Sequence, residues 1–159
     1  MNNVCFYKSP LGFVFKIADD GNSIKEISFV MNACGCCLNA TESRLGHMAK
    51  EQLAEYFDGT RKQFELPLDP EGTEFQKRVW KALYDIPYGN LRSYKDIAQA
   101  AGCPKGFRAV GGANNKNPIV IVIPCHRVIA ADNTIGGYGE GVEIKRKLLE
   151  LEGSLQMIK

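Results

Sequence analysis

Five consecutive β-branched residues, Ile119-Val120-Ile121-Val122-Ile123, run straight into Pro124, Cys125 and His126. An apolar run of this length has no polar face, so it reads as a short extended segment buried on both sides. Pro124 has no amide hydrogen to give, so a ladder through the run must end there. Cys125 is thereby placed where a rigid core stops and a pocket can open. A thiol at such a point can be held in one rotamer, partly desolvated, and still lie within reach of a substrate.

The elements on either side of this run differ in kind. Val4 to Tyr7, Gly12 to Ile17 and Ser23 to Val30 are rich in β-branched and aromatic residues and are separated by turn material, Ser9-Pro10-Leu11-Gly12 and Asp19-Asp20-Gly21-Asn22. They predict antiparallel strands. Thr41 is positioned to cap a helix running to about Asp58, with Leu45, Met48, Ala49, Leu53, Tyr56 and Phe57 on its apolar face and Gly59 as its stop. Phe64 to Leu68 reads as a further strand. Pro67, Pro70 and Gly72 mark a boundary, dividing the chain into residues 1–70 and 71–159.

Beyond the boundary the pattern is helical. Thr73 with Gln76, and Ser93 with Asp96, are capping-box spacings. Phe75, Val79, Trp80 and Leu83 give the first of these helices a buried side, and Pro87 and Gly89 end it. Ile97, Ala98 and Ala101 do the same for the second, which Gly102 closes. A tight turn at Cys103-Pro104-Lys105 leads into a helix from Gly106 to about Asn115, and this pair reads as a helix-turn-helix. A last helix spans about Glu143 to Glu152. The fold class is therefore α+β: a small N-terminal antiparallel-sheet domain, then a mostly helical domain containing the helix-turn-helix.

Charge follows the same division. The net charge of +2 is distributed unevenly, with 7 Lys and Arg against 10 Asp and Glu up to residue 71, and 13 against 8 after it. A basic second half suits phosphate binding. The candidate recognition helix has Gly106, Ala109, Gly111, Gly112 and Ala113, which leave little side chain to read base edges but permit close approach to DNA. No stretch approaches the ~20 apolar residues of a membrane helix, and the N-terminus has no charged-then-apolar signal, so a cytoplasmic, reducing location is expected for the six cysteines.

Cys125 owes any reactivity to its neighbours, because a free thiol with a pKa near ~8.5 is mostly protonated at neutral pH. His126 is adjacent, but successive side chains of an extended segment point to opposite faces. A water between thiol and imidazole is then a better link than a direct bond. Cys34, Cys36 and Cys37 crowd four positions. The Cys34–Cys36 spacing is tighter than usual zinc loops, which favours free thiols and no cofactor.

The segment Pro124-Cys125-His126-Arg127-Val128-Ile129 resembles the active-site signature of the O6-alkylguanine-DNA alkyltransferases. The resemblance extends through Gly72-Thr73-Glu74-Phe75-Gln76, Val79-Trp80, Ile86-Pro87-Tyr88-Gly89, Ser93-Tyr94, Ile97-Ala98, Arg108-Ala109-Val110-Gly111, Ala113-Asn114, Asn117-Pro118, Gly136-Gly137-Tyr138 and Lys145 to Glu152, in the family's order and spacing. It covers about residues 72–153; over residues 1–70 it is one of length and layout only. It implies a suicide repair protein that moves the alkyl group of O6-alkylguanine, and of O4-alkylthymine, irreversibly to Cys125. The implied partner is double-stranded DNA, bound by a monomer without a cofactor, although some members of the family bind a structural zinc in the N-terminal domain, for which Cys5, His47 and two of Cys34, Cys36 and Cys37 could supply four ligands.

The resemblance also implies roles. Cys125 is the nucleophile, His126 the water-linked base, Glu152 the carboxylate that orients it, Tyr94 a donor to the guanine ring, and Asn117 a brace beside the active-site turn. Arg108 matches the finger that replaces the extruded nucleotide, with Tyr94, Lys95, Ala109 and Gly112 also on the DNA side. Tyr138, Gly139 and Val128 fall around the substrate pocket, where Gly139 suggests a roomy wall that tolerates larger alkyl groups. Gly106-Phe107 departs from the family's usual alanine near position 106, and Phe107 either packs inward or adds apolar contact at the groove. Two other readings remain: a silent damage-binding module, disfavoured by the presence of Cys125, and a cysteine hydrolase, which would have no use for an arginine finger.

Overall fold

A computed structural model describes residues 3–30 and 42–159. The chain forms two compact units, one of residues 1–71 with Pro118–Val120, the other of residues 72–117 with 121–159. Among the described residues no helix is long and apolar enough to cross a membrane.

The first unit holds an antiparallel sheet of β1 (Asn3–Lys8), β2 (Val14–Asp19) and β3 (Ile24–Phe29) in that order. Helix α1 (Arg44–Phe57) covers it with a face of Ala49, Leu53, Tyr56 and Phe57. Its N-cap is Ser43 rather than Thr41: the Ser43 hydroxyl accepts from Gly46 N at 2.9 Å and donates to Asp19 Oδ2 at 2.6 Å. That second bond ties the helix start to the end of β2, which no local pattern could reveal. A Cβ on Gly46 would lie 2.8 Å from Cys5 Sγ, so α1 can approach β1 this closely only with glycine there.

The run at 119–123 is not a strand. Only Ile119 makes a ladder contact, a single parallel bridge to Ile27, with Ile27 N donating to Pro118 O at 2.9 Å and Val120 N to Ile27 O at 2.8 Å. The chain then turns through Ile121, whose φ of 72° lies in the left-handed region. Every side chain from Ile119 to Ile123 is still buried. The run is buried on all sides as its composition predicts, but an apolar run carries no period to tell a strand from a buried turn. Phe64 to Leu68 likewise yields one bridge, Leu68 to Ile24, instead of a strand. The two bridges cover part of the outer edge of β3, which would otherwise offer unpaired backbone groups.

The second unit contains α2 (Glu74–Tyr84), β4 (Arg92–Ser93), α3 (Tyr94–Ala100), α4 (Phe107–Asn115), β5 (Val128–Ile129) and α5 (Val142–Leu151). Both predicted capping boxes form, at Thr73 with Gln76 and at Ser93 with Asp96. Trp80 of α2 is buried and donates from Nε1 to Ala113 O at 2.9 Å, fixing α2 against the end of α4. The α3–α4 turn is tight because Gly106 has no side chain: a Cβ there would lie 2.6 Å from Cys103 Sγ. Strands β4 and β5 pair in parallel, Arg92 with Val128 and Ser93 with Ile129. This two-residue pairing joins the start of the helix-turn-helix to the segment that follows Cys125.

Candidate active site

Cys125, His126 and Arg127 form one turn of 3-10 helix after Pro124. The expected extended geometry is thus replaced by a turn, closed by Cys125 N donating to Ile123 O at 2.8 Å and Arg127 N to Pro124 O at 3.0 Å. Asn117 braces the approach, its Nδ2 donating to Ile123 O at 2.7 Å. The Cys125 thiol is buried and donates to the Tyr138 hydroxyl across 3.9 Å. Burial pushes the thiol up, while Asn117, Tyr138 and the charge of Lys145 pull against it. The thiol therefore needs a base.

His126 is fully buried. Its Nε2 lies 2.7 Å from Glu152 Oε2. Glu152, the C-cap of α5, is also gripped by Arg127, with Nε to Oε1 at 2.8 Å and Nη2 to Oε2 at 3.0 Å. Arg127 Nη1 donates to Ile86 O at 2.7 Å, and its guanidinium lies over the Tyr88 ring. Burial alone would raise the Glu152 carboxyl, but His126 and Arg127 together hold it well below the usual carboxylate range. Burial keeps His126 neutral, outweighing the attraction of Glu152, whose charge Arg127 already balances.

These contacts fix the tautomer. A carboxylate can only accept, so the imidazole hydrogen sits on Nε2 and the lone pair on Nδ1. Nδ1 is buried and has no hydrogen-bond partner among the described residues. His126 thus presents a neutral, oriented base whose free nitrogen is enclosed within the protein.

Tyr94 opens α3 and is half-buried. Burial first, then the proximity of Cys125, raises its phenol, so it stays a hydrogen-bond donor at neutral pH. Val128 is fully buried and offers its carbonyl to Lys145 Nζ at 2.6 Å. A Cβ on Gly139 would meet Asn115 at 3.8–4.0 Å, so the space left by this glycine faces the end of α4. Lys95, Arg108, Ala109 and Gly112 are all exposed. Nothing lies within 4 Å of where a Cβ would stand on Gly111 or Gly112, so that stripe of α4 is bare. Phe107 is 47% exposed and does not pack inward.

Two contributors were missed in the sequence. Arg127 was visible as a charge within an otherwise apolar segment. Lys145 lies at i, i+3, i+4 and i+7 spacing with Leu148, Leu149 and Glu152, on the buried face of α5, which marks it as a buried cation. The zinc candidates do not assemble among the described residues, and Cys34, Cys36 and Cys37 lie outside them. The Cys5 thiol is raised to about 11 by burial, then by the Glu42 charge, while the His47 ring faces Glu42 and Glu51.

Comparison with known proteins covers both units. Residues 4–70 match the ribonuclease-like domain of 6-O-methylguanine DNA methyltransferase, and residues 74–154 match its DNA-binding domain. The methylated-DNA–protein-cysteine methyltransferase of Methanosarcina barkeri is 45% identical, over 91% of this chain and 93% of that protein. The constitutive Bacillus subtilis enzyme of the same name is 56% identical over 65% of this chain and 64% of its own length. Mycobacterium tuberculosis O6-methylguanine methyltransferase superposes with a TM-score of 0.83 at 41% identity, covering 97% of this chain and 94% of that one. The Mycobacterium tuberculosis OGT has also been solved in complex with DNA, with the same TM-score and identity and 98% and 94% coverage. With its two halves matched in order and the Methanosarcina barkeri relative aligned over 93% of its length, the chain belongs to the 6-O-methylguanine DNA methyltransferase family.

Proposed function

We propose that this protein repairs double-stranded DNA by taking the alkyl group from O6 of guanine, and from O4 of thymine, onto Cys125. The protein acts once, as a monomer, in the reducing cytoplasm. The bare stripe of α4 lies against DNA, Arg108 fills the gap left by the extruded nucleotide, and Lys95 serves the phosphates. Extrusion is required because the reacting atom is inaccessible inside the stack.

His126 Nδ1 takes the Cys125 proton through a water, and the thiolate attacks the alkyl carbon. The C–S bond forms as the C–O6 bond breaks, and the electron pair passes into the guanine ring. The Tyr94 hydroxyl donates to the ring and eases that charge. Glu152 and Arg127 keep the base in its working tautomer. Asn117 holds the turn, and Tyr138, Gly139 and Val128 surround the alkyl group.

The observation that carries this reading is the enclosed lone pair of His126 beside a buried cysteine on a helix-turn-helix domain. Intact-mass spectrometry after incubation with duplex DNA containing O6-methylguanine tests it. The expected result is a gain of one CH2 per chain, mapped to Cys125 and absent in Cys125→Ala, which still binds the damaged duplex. An unchanged mass, or an adduct on another cysteine, refutes it.

A further inference from the structure

Among the described residues of the second unit, Tyr84, Phe107 and Met157 are the large apolar side chains left exposed. Single exposed apolar residues are ordinary on a protein surface, so place decides whether one has a use. Phe107 is the first residue of α4, and Arg108 follows it. Spacing would let Phe107 join Val110 and Asn114 on the buried face of the helix, yet it is 47% exposed while both of them are buried. It stands one turn before Gly111, where nothing lies within 4 Å of a would-be Cβ. The ring therefore rises at the head of the bare stripe.

The ground around the ring is cationic. Helices α3 and α4, with the turn between them and the C-cap of α4, carry Lys95, Lys105, Arg108 and Lys116, all exposed. The one acid of this stretch, Asp96, is turned onto its own helix start, accepting from Ser93 N at 3.0 Å. None of the four cations pairs with a carboxylate within 4 Å among the described residues. An apolar ring set among unpaired cations suits a polyanion that also offers apolar ground. Duplex DNA has both, phosphates along the edges of the groove and sugar and base faces within it.

We propose that Phe107 is a second DNA wedge: its ring lodges in the groove against the base step next to the one that Arg108 fills, and keeps that step from restacking while the damaged nucleotide is outside. The inference rests on the reading of α4 as the DNA-facing helix. The two side chains divide the task by their chemistry. Arg108, long and charged, occupies the gap. Phe107, shorter and apolar, leans on the neighbouring sugar and base, as apolar wedges of minor-groove proteins do. An uncharged ring displaces no counterion, so its contribution to affinity leaves the salt dependence of binding as it is.

The test uses a duplex holding O6-methylguanine with 2-aminopurine beside it, a base that brightens when it is unstacked. Equilibrium binding is measured in a Cys125→Ala background, so that no transfer intervenes, after thermal melts establish folding. Adding Phe107→Ala is expected to weaken binding about tenfold, the order of one lost stacking contact. It should also dim the 2-aminopurine signal and keep the log–log salt slope of the parent. With Cys125 present, Phe107→Ala should slow single-turnover transfer from the duplex about tenfold more than benzyl transfer from free O6-benzylguanine, which needs no extrusion. A folded Phe107→Ala with the parent's affinity and the parent's 2-aminopurine brightness overturns the inference. So does a salt slope reduced by a whole phosphate contact, which would make the ring a support for a neighbouring cation.

Should that variant not fold, Phe107→Trp keeps an aromatic ring and reports contact directly. The sole native tryptophan, Trp80, is buried, so quenching of the introduced indole on binding the duplex reads stacking at position 107. Unquenched emission from a bound duplex overturns the inference. Wild-type protein that takes benzyl from the free base but neither binds the duplex nor brightens 2-aminopurine overturns the DNA-facing reading of α4 itself, and this inference with it.

Discussion

Replacing Glu152 with glutamine keeps the shape of the side chain and removes its charge. The carboxylate accepts from His126 Nε2 at 2.7 Å, from Arg127 Nε at 2.8 Å and from Arg127 Nη2 at 3.0 Å. A carboxamide has a single accepting oxygen, and its NH2 must face donors on His126 or Arg127. Facing Arg127 sets donor against donor beside a buried cation that has lost its partner. Facing His126 obliges Nε2 to accept, which moves the imidazole hydrogen to Nδ1 and removes the lone pair that serves Cys125.

Breaking a buried ion pair in this way costs ~3–5 kcal/mol, which lowers the melting temperature of a chain of this size by about 6–20 °C. Loss of the base slows the reaction by on the order of 10²–10⁴-fold. Circular-dichroism melts and single-turnover benzyl transfer measure the two effects. The double substitution Arg127→Met with Glu152→Leu separates them: apolar replacement of both partners restores much of the stability, while transfer stays slow. Acidification gives a further check. The folded-state carboxyl is depressed, so its contribution is complete above the ordinary value of ~4.3 and drains away as pH falls below it. Wild type should lose stability in that window faster than Glu152→Gln does. A variant that melts with the wild type and reacts at its rate would refute the proposed role of Glu152.

Arg108→Ala should slow repair of duplex DNA by on the order of 10–100-fold, since extrusion costs a few kcal/mol, and leave benzyl transfer from the free base unchanged; equal losses on both substrates would place Arg108 in the pocket instead. Gly106→Ala should destabilise by ~1–3 kcal/mol through overpacking, because its Cβ would stand 2.6 Å from Cys103 Sγ, and Cys103→Ala in the same chain should recover much of that in a urea melt. Affinity for undamaged duplexes should fall steeply with salt, at about 0.9 in log–log slope for each phosphate contact, and vary little with sequence. Fluorescence-anisotropy titrations check this, and a strong preference for one undamaged sequence would refute it.

What the sequence made legible was what local patterns encode. Thr73 with Gln76 and Ser93 with Asp96 announce helix starts because each box is closed within four residues. The three strands at the N-terminus are rich enough in β-branched and aromatic residues, and clearly enough bounded by turns, to be placed within a residue or two. The errors all lie where a distant partner decides. Ser43 wins the cap of α1 through Asp19, 24 residues away. The 119–123 run is shaped by Ile27 and by a left-handed Ile121, neither of which leaves a mark on the run itself. Among the proposed site residues, Cys125 and His126 stand out at the end of the apolar run itself, while their roles and Glu152 come through family resemblance. Arg127 and Lys145 escaped because a buried charge is explained only by its partners, here a carboxylate 25 residues on and three backbone carbonyls.

The depth of Cys125 bears on what kind of agent this is. The residue is 3% exposed. A catalyst that turns over must release its product by some route, and that need keeps ordinary active sites open. In the proposed reaction the alkyl group never departs; only the base withdraws, along the path by which it came. The way to the sulfur can therefore be a blind alley. In that reading the depth of the sulfur acts as a safety catch, shielding it from large electrophiles and disulfides that nothing presents as an extruded base is presented. For a device that fires once, protection from misfiring matters as much as speed, and the same wall of buried side chains serves both.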